Sequence, residues 1–160
     1  MIQIGVIGGR VASDWHLEAA LTAGKLIAEK GGLLVTGGLT GVMEAASKGA
    51  KSAGGLTIGI VPQADKKSAN SFVDITIATG LGIARNSVIA HTADALIAIG
   101  GEYGTLSEIA YGLQLKKPVV TLKSWDIPGT VTAKDVDEAV SLAFKLAIST
   151  LATEEGNGGL

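Results

Sequence analysis

The residues of this chain best suited to chemistry are a pair of glycines, an isolated arginine and a glutamate set just behind a Gly-Thr pair. The apolar run Ala95-Leu96-Ile97-Ala98-Ile99 stops at Gly100-Gly101, and Glu102-Tyr103-Gly104-Thr105-Leu106-Ser107-Glu108 opens an apolar segment with helical spacing. That order predicts a strand, a backbone-exposing turn and a helix N-terminus. Glycine lets a ligand approach the main chain closely. The free N–H groups and the dipole of a helix start favour an anion. The expected ligand is therefore a phosphorylated or otherwise anionic small molecule.

Two more glycine turns follow apolar runs, Gly8-Gly9-Arg10 and Gly37-Gly38-Leu39-Thr40-Gly41. In a doubly wound sheet, ligands bind beyond the carboxyl ends of the strands, where the strand order reverses. One such turn is commonly steric in origin; three on a single edge point to a site. Neither familiar nucleotide motif is present. A dinucleotide fold requires G-x-G-x-x-G after its first strand and an acidic residue closing the second. Here Gly5-Val6-Ile7-Gly8-Gly9 has the wrong spacing, and the second strand ends in Thr36-Gly37-Gly38. G-x-x-x-x-G-K-[ST] is missing too, so neither NAD nor a P-loop nucleotide is expected.

Between Asp74 and Asp94 the sole full charge is Arg85, within Gly82-Ile83-Ala84-Arg85-Asn86-Ser87-Val88-Ile89-Ala90. Arginine keeps its proton, so a buried Arg85 needs an anion: Glu108, a ligand phosphate, or both. Its planar fork suits phosphate, although a solvated helix face would also accommodate it. Glu108 has two readings. Thr105-Leu106-Ser107-Glu108 fits a T-x-x-E capping box; a working Glu108 would instead be a general acid/base or hold a ligand hydroxyl. Trp15 reads as a packing residue rather than a stacking platform, His91 as a local charge near a helix end, and Lys66-Lys67 as a solvated pair.

The elements that must position these groups alternate in type, which is the mark of βαβ units and a parallel sheet. Strands are predicted over 2–7, 33–36, 57–61, 73–77, 94–99 and 118–122, and helices over 14–30, 41–53, 82–92, 104–116 and 133–150. Ser13 or Asp14 suits the first N-cap, Gly31-Gly32 its end, and Thr132 to Asp135 the last N-cap. The expected architecture is α/β: a single doubly wound Rossmann-like domain over 1–150, its mostly parallel sheet covered by helices on both faces. Residues 151–160, ending Glu154-Glu155-Gly156-Asn157-Gly158-Gly159, read as a flexible C-terminal tail.

The chain has 160 residues, 47% of them apolar, with a formal charge of −2. Its mean hydropathy of +0.41 fits a buried parallel sheet and an oligomer interface. No apolar stretch nears the roughly 20 residues that cross a bilayer, and Met1-Ile2-Gln3-Ile4 lacks a leader pattern. A cytoplasmic protein away from membranes is expected. The absence of a basic stripe and an aromatic content of 4% argue against nucleic acid. There is no cysteine, and His16 and His91 have no metal-type spacing, so no protein-ligated metal is expected.

These motifs resemble a superfamily of Rossmann-like proteins that includes the Lonely Guy phosphoribohydrolases and the molybdenum cofactor carrier proteins. The resemblance covers residues 1–150. The enzymes' P-G-G-x-G-T-x-x-E is matched by Gly100-Gly101-Glu102-Tyr103-Gly104-Thr105-Leu106-Ser107-Glu108, and Arg85-Asn86 stands at their Arg-Lys pair. Gly37-Gly38-Leu39-Thr40-Gly41-Val42-Met43 is similar to their G-G-G-x-x-G-L-M. Here Gly100 replaces Pro, Glu102 replaces Gly and Asn86 replaces Lys, which makes the rim more negative and the chain more similar to the carrier branch.

The resemblance implies a protein that binds, protects and delivers molybdenum cofactor, a pterin phosphate with oxo-molybdenum. Gly8, Gly9, Arg10, Gly37, Gly38, Thr40, Gly41, Arg85, Gly100, Gly101, Gly104, Thr105 and Glu108 would form the site. Molybdenum enzymes or cofactor-synthesis proteins would be its partners. The alternative is a nucleoside 5′-monophosphate phosphoribohydrolase with Arg85 and Glu108 catalytic. A homo-oligomer, dimer or tetramer, is also implied; the poorly charged helices 82–92 and 104–115 agree with it.

Overall fold

Five unbroken apolar runs make the centre of the molecule, and each is a strand because β-branched and aliphatic side chains fill both faces of a covered parallel sheet. In the computed structural model, which describes residues 1–157, these are β1 (Gln3–Gly8), β2 (Leu33–Thr36), β3 (Thr57–Val61), β5 (Ala95–Ile99) and β6 (Val119–Leu122). The edge strands β4 (Ile75–Ala78) and β7 (Val131–Thr132) complete a seven-stranded sheet. All its pairings are parallel, in the order β4-β3-β2-β1-β5-β6-β7. The order reverses between β1 and β5, so the crevice expected of a doubly wound fold opens at Gly8 and Ile99.

Helices α1 (Asp14–Glu29), α2 (Val42–Ser52) and α5 (Val136–Asn157) cover one face; α3 (Arg85–Thr92) and α4 (Tyr103–Gln114) cover the other. Ile4, Val6, Leu34, Ala95, Ile97 and Val120 form the first core, with Ala20, Ala46 and Val140 from the helices. Ile7, Val35, Ile60, Leu96 and Ala98 form the second, against Ile89 and Ile109. The chain is one domain with a Rossmann-like fold.

Small residues bring the first two helices together. A β-carbon on Gly24 would collide with the Ala46 carbonyl, and one on Gly49 with the Leu21 carbonyl. Close approach here packs α1 directly on α2.

At the opposite edge of the sheet, two aspartates tie down strand starts. Asp94 Oδ2 accepts from Gln3 N at 2.8 Å, and Asp74 Oδ2 accepts from Thr57 N at 3.0 Å. Asp74 also receives Lys51 Nζ at 2.8 Å, joining the end of α2 to β4. That lysine, by hydrogen bond first, holds the Asp74 carboxyl below its ordinary value.

Most predicted elements are present, and the differences have local causes. Ser13 caps α1, accepting from His16 N at 3.3 Å, and Asp135 Oδ1 accepts from Glu138 N at 2.8 Å before α5. The segment predicted as one helix over 82–92 is a 3-10 turn at Gly82–Ala84, opened by Gly82 at a φ of +58°, followed by α3. The last helix runs to Asn157 rather than 150, and Gly158 to Leu160 lie outside the described residues. The two-residue β7 carries too little pattern to be read from sequence.

Candidate functional site

At the reversal point a cavity of about 590 Å³ opens between the loop after β1, the 3-10 turn before α3 and the amino end of α4. Gly8, Gly9, Arg10, Arg85, Gly104, Thr105 and Glu108, all expected from sequence, line it. Asn86 and Glu102 line it as well, so two of the three departures from the enzymes' pattern face the same space.

Arg85 is the first residue of α3 and is only 8% exposed. Among the described residues its Nε finds no hydrogen-bond acceptor, an omission that costs roughly 1–3 kcal/mol in a buried polar group. Burial, the largest influence, pushes its pKa down; Glu108 opposes this and Arg10 adds to it. Because the ordinary value is so high, the guanidinium stays charged.

Glu108 stands in α4, one turn behind Thr105, and is 7% exposed. Burial pushes its carboxyl up to about 8, against the pull of Arg85. Among the described residues no ion pair within 4.0 Å joins the two. At neutral pH, then, Arg85 is charged, Glu108 holds its proton, and the cavity wall carries an unneutralised cation.

The capping-box reading of Glu108 is corrected by the helix boundary. α4 begins at Tyr103 with Glu102 as N-cap, and no side chain caps it. Thr105 is therefore already inside the first turn, and its side chain fills the space beside Gly101. A box needs its threonine at the N-cap, outside the helix. The start moved because Gly100 and Gly101 adopt φ of +59° and +91°, which turns the chain into the helix three residues before the capping box would. The N–H groups of that first turn have no intrahelical acceptor, and Gly104 and Thr105 face the cavity.

The second glycine loop lies behind the cavity wall. A β-carbon on Gly37 would overlap Arg85 Nη1, and one on Gly41 would overlap the Gly9 carbonyl. Val42 N donates to Gly9 O at 3.0 Å, and Thr40 Oγ1 donates to Arg10 O at 3.2 Å. Gly38 packs on Val61 and Gly59. Gly37, Gly38, Thr40 and Gly41 thus seat Arg85 and the Gly9-Arg10 turn. Gly100 packs against the His16 ring.

Sequence reasoning did not single out the apolar part of the wall, Val11, Met43, Pro62 and Ile83. Pro62 directly follows β3, so its place at the sheet's carboxyl edge was available from the run Thr57 to Val61. Asn86 Nδ2 donates to Ser107 Oγ at 3.1 Å, linking α3 to α4 where the enzymes carry a lysine. Trp15 faces Lys123 Nζ, 3.8 Å from its ring centroid, and does not line the cavity. His16 bridges Ser13 Oγ at 2.6 Å and the Lys123 carbonyl at 3.2 Å, so Nε2 carries the proton. His91 is a local contact, its Nδ1 lying 2.7 Å from Ser87 O.

Fold and site together define a Rossmann-like domain with a cavity at its topological switch point. The chain belongs to the SLOG cluster4 family (LDcluster4), which it matches over residues 1–150. It is 53% identical over 150 residues to an uncharacterized protein of Archaeoglobus fulgidus, covering 94% of this chain and 97% of that one. It is similar to the solved molybdenum cofactor binding protein of Rippkaea orientalis, at 39% identity and a TM-score of 0.85, over 90% of this chain and 96% of that one. The molybdenum cofactor carrier protein of Chlamydomonas reinhardtii matches at 40% identity and a TM-score of 0.82, over 91% and 97% of the two chains. A more distant likeness, 32% identity over 126 residues, links it to the cytokinin riboside 5′-monophosphate phosphoribohydrolase of Mycobacterium tuberculosis, over 71% of this chain and 67% of that one. The relation to the Lonely Guy superfamily expected from the motifs therefore holds.

Proposed function

We propose that this protein binds molybdenum cofactor and carries it in the cavity at the β1–β5 reversal. The observation that carries the reading is Arg85, a buried cation with an orphaned Nε, set in a wall of glycine turns and a helix start. Such a wall suits the terminal phosphate of a pterin ligand. The apolar side, Met43, Pro62 and Ile83, suits the flat ring system. The likeness to cofactor-binding proteins along nearly the whole of both chains supports the same ligand.

Gly8, Gly9, Arg10, Arg85, Gly104, Thr105 and Glu108 contact the ligand in this reading. Gly37, Gly38, Thr40, Gly41, Gly100 and Gly101 shape the wall from behind. The cofactor is cargo, delivered to molybdenum enzymes or the proteins that complete it. A cytoplasmic homo-oligomer, dimer or tetramer, completes the proposal; Ile83 and Tyr103, 75% and 80% exposed, provide apolar surface beside the mouth. Sedimentation as a monomer at micromolar concentration would count against the oligomer.

The test is anaerobic titration of the purified protein with cofactor released from a molybdenum enzyme. Saturable binding supports the carrier reading, and no binding in ligand-free protein removes it. The second reading, a nucleoside 5′-monophosphate phosphoribohydrolase, is favoured by one observation: Glu108 is buried in the cavity wall, which pushes its carboxyl up to about 8, the range a general acid needs. Incubation with AMP and chromatography of free adenine decides it. Adenine released by the wild type and lost in Glu108→Gln makes this an enzyme; none above the protein-free control leaves the carrier.

A further inference from the structure

Arg85 and Glu108 are each more than nine-tenths buried, and both face the cavity, yet they form no ion pair within 4.0 Å. The two facts constrain each other. A carboxylate taken out of water with no donor beside it is strongly disfavoured, so the group stays protonated. A guanidinium left without that counter-ion must find its anion elsewhere, and the open side of Arg85 is the ligand space.

The cations in the cavity walls are Arg85 and Arg10, and neither forms an ion pair with Glu108 within 4.0 Å. Arg85 comes from α3 and Arg10 from the loop after β1, while Glu102 stands at the rim. Met43 of α2 and Pro62 after β3 are uncharged, and the rest of α4 has no charged residue. With Glu108 neutral, Arg10 and Arg85 outnumber Glu102 and complement a phosphate. With Glu108 ionised, two carboxylates balance two arginines, one of them beside the buried cation the phosphate needs.

Resting on the reading of this cavity as an anion site, we propose that ligand binding is coupled to a proton on Glu108. The site takes a phosphate-bearing ligand when that carboxyl is protonated and releases it when the proton leaves. By linkage, the bound anion in turn holds the proton on. The same coupling gives a carrier a release step: a receiving site that draws the proton from Glu108 also loosens the cargo.

Two measurements test this, using cofactor extracted anaerobically from a purified molybdenum enzyme, with AMP as a second probe. Both are made between about pH 7.5 and about pH 9.5, where a phosphate monoester is already a dianion. In the wild type the dissociation constant should rise about 20-fold across that range, for a carboxyl titrating near 8. In Glu108→Gln, whose amide mimics the protonated acid, it should change less than about twofold. Calorimetry in two buffers of different ionisation heat needs no variant. At about pH 8.5 wild-type binding should take up about three-quarters of a proton.

Equal pH dependence in the two proteins, or no proton uptake by the wild type, overturns the coupling while leaving the anion site standing. Failure of both probes to bind at any pH removes the site and the coupling together.

Discussion

Arg85 reaches its place in the cavity wall because residue 37 is glycine. A β-carbon there would overlap the arginine's Nη1 and stand 2.6 Å from Met43 Sδ. The second glycine loop, 48 residues away in sequence by the difference of the two numbers, is the seat of the site's buried cation. Arg85 and Gly37 act as one unit, and a change at either should be read at the other.

Gly37→Ala should therefore weaken cofactor binding by about tenfold or more, because the guanidinium must leave its seat. The same overlap should destabilise the fold by about 1–3 kcal/mol. Denaturant unfolding and cofactor titration on the same preparation separate the two effects. Unchanged affinity would mean that Arg85 has room to move without consequence.

Arg85→Met should do the reverse to stability. Replacing the guanidinium removes a desolvated charge with an orphaned Nε, and the neutral Glu108 left behind is not an unpaired ion. Stability at neutral pH should stay within about 1 kcal/mol of wild type or rise. Cofactor affinity should fall about a hundredfold. A loss of several kcal/mol on unfolding would show that Glu108 is ionised and depends on the arginine.

Stability should fall as pH rises through the neutral range. The Glu108 carboxyl holds its proton up to about 8 in the folded chain, against 4.5 for the free group. Between those values the folded state binds more protons than the unfolded state, so unfolding becomes easier with each step of pH. The dependence should level above about 8 and be absent in Glu108→Gln. Denaturation midpoints at a series of pH values give the slope.

Asp74 should contribute in the opposite sense. Lys51 and Thr57 hold its carboxyl below the ordinary value, so its stabilisation is present above the unfolded pKa and is lost as pH falls through the folded one. Asp74→Asn should lower the thermal midpoint at neutral pH. The gap from wild type should narrow below about pH 4. A constant gap across that range would show that packing, not charge, is what Asp74 provides.

Most of the sheet was legible because its central strands are short, largely apolar runs alternating with segments of helical spacing. The glycine turns were legible because close approach and positive φ leave few other residues available. The exact helix starts were not. Thr105-Leu106-Ser107-Glu108 satisfies a capping box by letter, yet Gly100 and Gly101 turn the chain early and place Thr105 inside α4. Likewise, the poorly charged segment 82–92 reads as one helix by its pattern, yet its first three residues form a 3-10 turn.

The sequence alone determined the sheet class, the edge on which the cavity lies and the glycine, arginine and glutamate types in its wall. Those follow from local periodicity and from the chemistry of glycine and arginine. Only the tertiary structure decided which glycines face the cavity and which stand behind it, since Gly9 and Gly37 look alike until α2 and α3 are packed. It also decided the state of Glu108, because a carboxyl's charge is set by the water and donors around it. Neither is written in the four residues on either side.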